Sequence, residues 1–173
     1  DMELEPLTDY SRFKADCEKI LFKSLSNNFI PIVIRPATVC GYSPRQRLDV
    51  VVNILTNLAY HKKEITVLGG DQLRPNIHIV DMVRAYDCLI NAKEELVSGK
   101  IFNAGYENQS VNHLASLVKE VVGDDVKIKH IDSNDNRSYH ISSKKIEKEL
   151  GFKTIKTIKD AIKDLKSAFD KKE

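Results

Sequence analysis

Apolar residues fall into two alternating rhythms along the chain, one of helical and one of strand spacing. Thr8 or Asp9 offers a cap for a first helix, in which Phe13, Cys17, Ile20, Leu21 and Leu25 form one stripe that runs until Asn27-Asn28. The β-branched run from Ile30 to Ile34 is too short for a helix and apolar on both sides, which predicts a strand inside a parallel sheet, ending at Arg35-Pro36. A turn-rich stretch, Gly41-Tyr42-Ser43-Pro44, leads to a second helix carrying Leu48, Val51, Val52, Leu55 and Leu58. Ile65 to Leu68 then reads as a strand closed by Gly69-Gly70, and Asn76 to Val80 as another, running into Asp81 as the N-cap of a helix through Ala92. Ile101 to Ala104 predicts a strand, Ser110 to Val122 a helix stopped at Gly123, and Val126 to Ile131 a strand. Two helices follow, the first ended by Gly151. The alternation predicts the α/β class.

Composition narrows the picture only a little. A chain of 173 residues with 42% hydrophobic content is about one domain with a real core, expected to be soluble and globular. No apolar run approaches the ~18 residues of a membrane-spanning helix, and Asp1-Met2-Glu3-Leu4-Glu5 is acidic where a secretory leader would be basic, so a cytoplasmic protein without membrane contact is expected. Cys17, Cys40 and Cys88 are odd in number and widely spaced, which points to packing residues, not to disulfides or zinc. The net charge of +2 describes a mixed surface. In the lysine-rich end from Lys153 to Lys172, Ile155, Ile158, Ala161, Ile162 and Leu165 recur at helical spacing, so an amphipathic helix with a solvated lysine face is expected there, and no nucleic-acid partner.

Candidate chemistry begins at Tyr10 and Lys14, which an i,i+4 spacing brings to one face of the first helix. Tyrosine exchanges a proton near neutral pH only if its anion is stabilised. An ammonium about 5 Å away contributes roughly 3 kcal/mol at an effective dielectric of ~20, on the order of two pKa units. The same spacing also occurs on ordinary amphipathic surfaces. The five histidines, at 61, 78, 113, 130 and 140, show no metal-ligand spacing, and a structural place is expected for them, His78 as a satisfied strand histidine. Neither GxGxxG nor GxxGxxG occurs anywhere in the chain.

Six segments in order carry a resemblance: Tyr10-x-x-x-Lys14; Arg35-Pro36-Ala37-Thr38-Val39-Cys40-Gly41 with Ser43-Pro44-Arg45-Gln46-Arg47-Leu48-Asp49; Gly69-Gly70 through Arg74 to Asp81; Phe102-Asn103-Ala104-Gly105; Asp135-Asn136-Arg137-Ser138-Tyr139; and Lys145-Ile146 with Leu150-Gly151-Phe152. Together they resemble the later half of an extended short-chain dehydrogenase/reductase, and more narrowly the NAD-dependent epimerase/dehydratase family acting on nucleotide-sugars. The resemblance implies the carboxy-terminal part of a Rossmann-type parallel sheet plus the smaller α/β substrate-binding domain. Residues 1–40 would be the end of the NAD-binding domain, and 41–173 mainly the substrate domain. It also accounts for the missing glycine motif, which in such enzymes lies upstream of the tyrosine.

By the same resemblance Tyr10 is the general base and Lys14 lowers its pKa and holds the nicotinamide ribose, with Pro36, Ala37 and Thr38 beside the cofactor. The cofactor is NAD, with NADP possible. Thr38, Arg47, Arg74 and Arg137 are implied substrate contacts, the last two as a clamp on the diphosphate of a nucleoside-diphosphate sugar, since a guanidinium fork binds phosphate oxygens bidentately. Many relatives have Asn where Thr38 stands and Tyr where Cys40 stands. The intact enzyme is implied to be a homodimer that epimerises its sugar, with dehydration or reduction as alternatives and the isolated chain inactive. A non-catalytic nucleotide-sugar-binding module is the reading from another class.

Overall fold

A computed structural model describes residues 5–6, 8–133 and 138–172 of the chain. Helix α1 (Asp9–Lys23) starts at Thr8, whose side chain accepts from the Ser11 N–H while the Ser11 hydroxyl accepts from the Thr8 N–H. This reciprocal cap satisfies two N–H groups that the first turn leaves without partners. Strand β1 (Val33–Pro36) follows and passes through Ala37 into β2 (Thr38–Cys40). Pro31 has no N–H to give and only accepts, from the Gly99 N–H at 3.1 Å; the first N–H that this segment donates across the pair is that of Val33, to the Lys100 carbonyl at 3.0 Å. The strand therefore starts three residues later than the apolar run suggests and ends, as expected, at Pro36.

Helix α2 (Val51–Lys62) leads to β3 (Glu64–Leu68), β4 (Leu73–His78) and α3 (Ile79–Ile90); a single turn α4 (Glu94–Val97), β5 (Ile101–Ala104) and β6 (Glu107–Ser110) come next. The chain closes with α5 (Val111–Val122), β7 (Lys127–Ile131), α6 (Lys144–Leu150) and α7 (Ile158–Lys171). β1 pairs in parallel with β5, β3 in parallel with β7, and β4 lies between parallel β2 and antiparallel β6. Pro75 is tolerated inside β4 because β2 reaches it only from Asn76 onward, so no ladder bond on that side needs its N–H.

Two strands change sheets at one level. β1 becomes β2 at Ala37, whose N–H still bonds the Ala104 carbonyl at 2.7 Å, and β5 becomes β6 across Gly105-Tyr106, where the Tyr106 N–H bonds the Asn76 carbonyl at 3.0 Å. The crossing is close: a Cβ on Gly105 would lie 3.2 Å from the Ala37 Cβ and 2.6 Å from Ile141 Cδ1.

The core has two parts. Val52, Leu55, Ala59, Ile65, Val67, Leu114, Val118 and Ile162 fill the space between β3 and helices α2, α5 and α7. Ala37, Ile77, Met82, Leu89, Phe102, Ile146 and Phe152 fill the other, around α3 and β5. Each of the larger of these side chains, the alanines excepted, stabilises the fold by about 1.5–3 kcal/mol. Helix α7 buries Ile158, Ala161, Ile162, Leu165 and Ala168 and leaves its lysines to solvent, as its spacing predicts, whereas Ile155 stands before the helix and is exposed. Helix α1 behaves differently. None of its residues is buried, and the stripe expected to pack, with Phe13 67% and Ile20 64% exposed, faces outward.

Two polar residues organise the first turn of α3. His78, not Asp81, is the N-cap: its Nδ1 accepts from the Val80 N–H at 3.1 Å, which leaves the proton on Nε2 to be donated to Asp164 on α7, also 3.1 Å. Asp81, expected as the cap, lies one turn in and fully buried. Its carboxylate accepts from the Ile155 N–H at 3.1 Å, the Lys156 N–H at 2.8 Å and Arg84 Nη1 at 2.6 Å. Of the cysteines, Cys40 is buried and donates its thiol to the Ile77 carbonyl, its pKa pushed up to about 12 chiefly by burial and further by the Glu107 charge. Cys88 is half-buried, while Cys17, expected to pack, is exposed.

Gly70 carries a clear conformational demand. Its φ is +127°, and a Cβ there would fall 2.1 Å from Asn112 Oδ1. Gly70→Ala is expected to destabilise by about 1–3 kcal/mol, measured as a lower urea midpoint with an unchanged m-value; an unaltered midpoint would refute the close approach.

Among the described residues no helix is long and apolar enough to cross a membrane, and no group of three His, Cys, Asp or Glu side chains is placed to hold a metal ion.

Candidate functional site

The carboxyl end of β1, the loop 41–47 and the outer side of α3 enclose a cleft of about 330 Å³, lined by Pro36, Val39, Cys40, Gly41, Ser43, Arg45, Gln46, Arg47, Asn53, Ile79, Met82 and Tyr86. Loop 41–47 owes its shape to two carboxamides. Asn53, buried on α2, accepts from the Gly41 N–H at 3.0 Å and donates to the Arg47 carbonyl at 2.8 Å, tying both ends of the loop to the helix. Gln46 accepts from the Ser43 N–H at 3.0 Å and spans the loop interior to the Gly41 carbonyl at 3.4 Å. Neither residue stands out by sequence, although an asparagine within the apolar pattern of Val51, Val52 and Leu55 is the kind of interruption that marks a buried polar task.

Arg47 stands at the mouth of this cleft with its guanidinium fork on Asp49, Nε to Oδ1 3.0 Å and Nη2 to Oδ2 2.8 Å. Hydrogen bonding to Asp49 raises its pKa above the ordinary arginine value, and the Tyr10 phenol adds a smaller electrostatic contribution in the same direction. Tyr10 and Lys14 are both exposed, one helical turn apart. The helix that carries them is tied to β1 by a bidentate pair, Arg35 Nε to Glu18 Oε1 at 2.8 Å and Nη2 to Oε2 at 2.5 Å.

The other expected site residues gather on the three-stranded sheet. Thr38 on β2 is in register with Asn76 on β4, two residues from Arg74, which is in register with Gln109 on β6. Ala37 is buried and its N–H is already bonded within the sheet. Arg74 is half-buried; its Nη1 donates to the Leu73 carbonyl at 3.0 Å, and its guanidinium lies over the Tyr139 ring, 5.8 Å from the centroid. Asn76 donates to the Arg74 carbonyl at 2.8 Å, while its own buried side-chain oxygen has no partner among the described residues. Arg137, expected as the second half of the clamp, lies outside the described residues. The structure thus places Pro36 and Arg47 at the cleft, and Thr38 and Arg74 on the adjoining sheet, while Tyr10 and Lys14 are not among the residues that line it.

Segment 138–143 runs across the edge of that sheet and is tied down at three points. Ser138 Oγ accepts from the Leu73 N–H at 3.0 Å; Asn108 clasps Ile141, accepting from its N–H at 2.8 Å and donating to its carbonyl at 3.0 Å; and Ser143 Oγ accepts from the Gly105 N–H at 2.8 Å.

The model of the NAD dependent epimerase/dehydratase family matches residues 1–105, which is more than half of the chain. The chain belongs to that family. The match takes in the Tyr10–Lys14 spacing, the segment after β1, the Gly69–Asp81 stretch and Phe102–Gly105, whereas the segments at 135–139 and 145–152 lie beyond it. The fold is similar to that of RMD from Pseudomonas aeruginosa complexed with NADPH, with TM-score 0.86, 18% identity, and coverage of 100% of this chain and 60% of that one. It is also similar to UDP-glucuronic acid 4-epimerase from Bacillus cereus in complex with UDP-glucuronic acid and NAD, with TM-score 0.83, 20% identity and coverage of 100% and 56%. A third is dTDP-glucose 4,6-dehydratase from Bacillus anthracis in complex with NAD, with TM-score 0.81, 21% identity and coverage of 99% and 55%. The chain spans 60% or less of the length of these three structures. An epimerase and a dehydratase match to similar extents, so the likeness fixes the Rossmann-type fold and leaves the reaction open.

Proposed function

We propose that this chain contributes the proton-transfer and substrate-holding part of an NAD-dependent nucleotide-sugar epimerase. The observation that supports this reading is the cleft lined by Pro36 and Arg47 at the carboxyl end of a parallel strand, the place where open α/β sheets hold their ligands. The residues present fit one wall of a nicotinamide site. On this reading Lys14 would hold a ribose hydroxyl, with Pro36, Ala37 and Thr38, at the junction of β1 and β2, beside the cofactor. No glycine motif in the sequence fits the pyrophosphate. NAD, when bound, supplies the hydride acceptor, and NADP would serve the same chemistry.

The protein's own work is then proton transfer and grip. Tyr10 Oη takes the proton of a sugar hydroxyl, and the Lys14 ammonium stabilises the resulting phenolate. Arg74 and Arg137 hold the diphosphate, with Thr38 and Arg47 toward the sugar. Dehydratase and reductase reactions share these parts. Residues 1–40 are assigned to the cofactor domain and 41–173 mainly to the substrate domain, in a homodimeric, cytoplasmic enzyme when intact.

Titration of the chain with UDP tests the grip. Arg74→Ala and Arg137→Ala are each expected to weaken UDP binding by about 10- to 100-fold, the range for losing a charge-assisted hydrogen bond. Affinities unchanged in both variants would refute the clamp. Tight binding of UDP by the chain without any response to a nicotinamide cofactor favours a binding module over an enzyme.

A further inference from the structure

We infer that Arg45 is a specificity-determining residue that selects a nucleotide-sugar whose sugar carries a carboxylate; the inference rests on the reading above that the cleft beside Arg47 receives the sugar. None of the residues lining that cleft is acidic, whereas two of them, Arg45 and Arg47, are arginines. They differ in what remains open to a ligand. Arg47 turns its fork to Asp49, so that pair carries no net charge. The Arg45 guanidinium has no hydrogen bond or ion pair among the described residues, which leaves its N–H donors and one positive charge facing no partner.

The backbone that carries this free head is held. Ser43 Oγ donates to the Arg45 carbonyl at 3.1 Å, and the Ser43 N–H is itself bonded to Gln46 Oε1 at 3.0 Å. On the other side Asn53 and Gln46 both donate to the Arg47 carbonyl, at 2.8 and 3.2 Å. A ligand then has only the rotamers of the arginine left to order, not the loop. Charge decides which anion fits. One guanidinium fork matches the two oxygens of one carboxylate, whereas a phosphate ester of about −1.5 to −2 would meet a single open cation and keep charge unpaired. Val39, Ile79, Met82 and Tyr86 give the same cleft an apolar lining, suited to the C–H face of a sugar ring whose carboxylate reaches Arg45.

UDP-galactose and UDP-galacturonic acid differ only by a hydroxymethyl group against a carboxylate. Both are titrated into the wild-type chain, Arg45→Ala, Arg45→Lys and Arg74→Ala, with thermal unfolding of each. The wild type is expected to bind the acidic sugar about tenfold more tightly, and Arg45→Ala to bind the two alike at unchanged Tm, since an exposed side chain without partners holds nothing in the fold. Arg45→Lys keeps the charge without the fork and is expected to retain a preference of about threefold. Arg74→Ala is expected to weaken both ligands equally and leave their ratio unchanged, because it acts on the diphosphate they share. Equal affinities in the wild type beside a weakened Arg74→Ala overturn the role of Arg45 and leave the diphosphate clamp standing. A preference that survives in Arg45→Ala overturns it as well, since another group then reads the carboxylate. Binding of neither compound by the wild type overturns the proposed function and this inference with it.

Discussion

Replacing Asp81 with alanine is expected to lower the free energy of unfolding by about 3–5 kcal/mol, the loss typical of breaking a buried charge pair by removing one partner. The carboxylate is fully buried and holds the Ile155 and Lys156 N–H groups and the Arg84 guanidinium, which itself also donates to the Lys153 carbonyl at 3.0 Å. One side chain thereby ties the segment before α7 to the first turn of α3. Asp81→Asn, the same shape without the charge, turns an NH2 toward N–H donors and is expected to lose a large part of the same stability. For a chain of this size the alanine variant should melt on the order of 10 °C lower. Thermal unfolding followed by circular dichroism checks this, and a loss below about 1 kcal/mol would show that the clasp contributes little.

In the proposed enzyme, with its cofactor domain present, Tyr10→Phe is expected to reduce turnover by about 100- to 10,000-fold, the usual contribution of a placed acid or base, with nucleotide affinity unchanged. Phenylalanine keeps the ring and removes only the proton-carrying oxygen. The separation matters because Arg74→Ala should do the reverse, weakening substrate binding first. Steady-state kinetics on both variants resolves kcat from KM, and undiminished turnover in Tyr10→Phe would sink the assignment of Tyr10 as base.

Elements whose local pattern and tertiary environment agree were legible beforehand. The stripe of α7, the helix ending at Gly123 and the strand Ile65 to Leu68 each read correctly because apolar spacing and burial coincide. Strand β1 starts later than read because Pro31 removes a donor inside an apolar run, a constraint that hydrophobicity does not register. Strand β6, Glu-Asn-Gln-Ser, escaped notice because its pairing with β4 comes from topology and its side chains have no strand character. In the site, Tyr10, Arg47 and Arg74 were marked by motif, but the carboxamides of Asn53 and Asn108 that set the loop and the segment over the sheet were not. Their partners are backbone groups, and no spacing of side chains announces those. Asp81 was misassigned as a cap for a related reason: an acid near a helix start suits the dipole, while its backbone partners lie more than seventy residues downstream.

The outward-facing apolar stripe of α1 also bears on time. A helix with no buried residue, joined to the sheet by the Arg35–Glu18 pair, opens at a free energy far below that of the whole chain, so its amides should exchange with solvent while those of α5 and α7 remain protected. Tyr10 and Lys14 ride on that helix, and whatever surface covers its stripe also decides how long the proposed proton-transfer pair holds its aim.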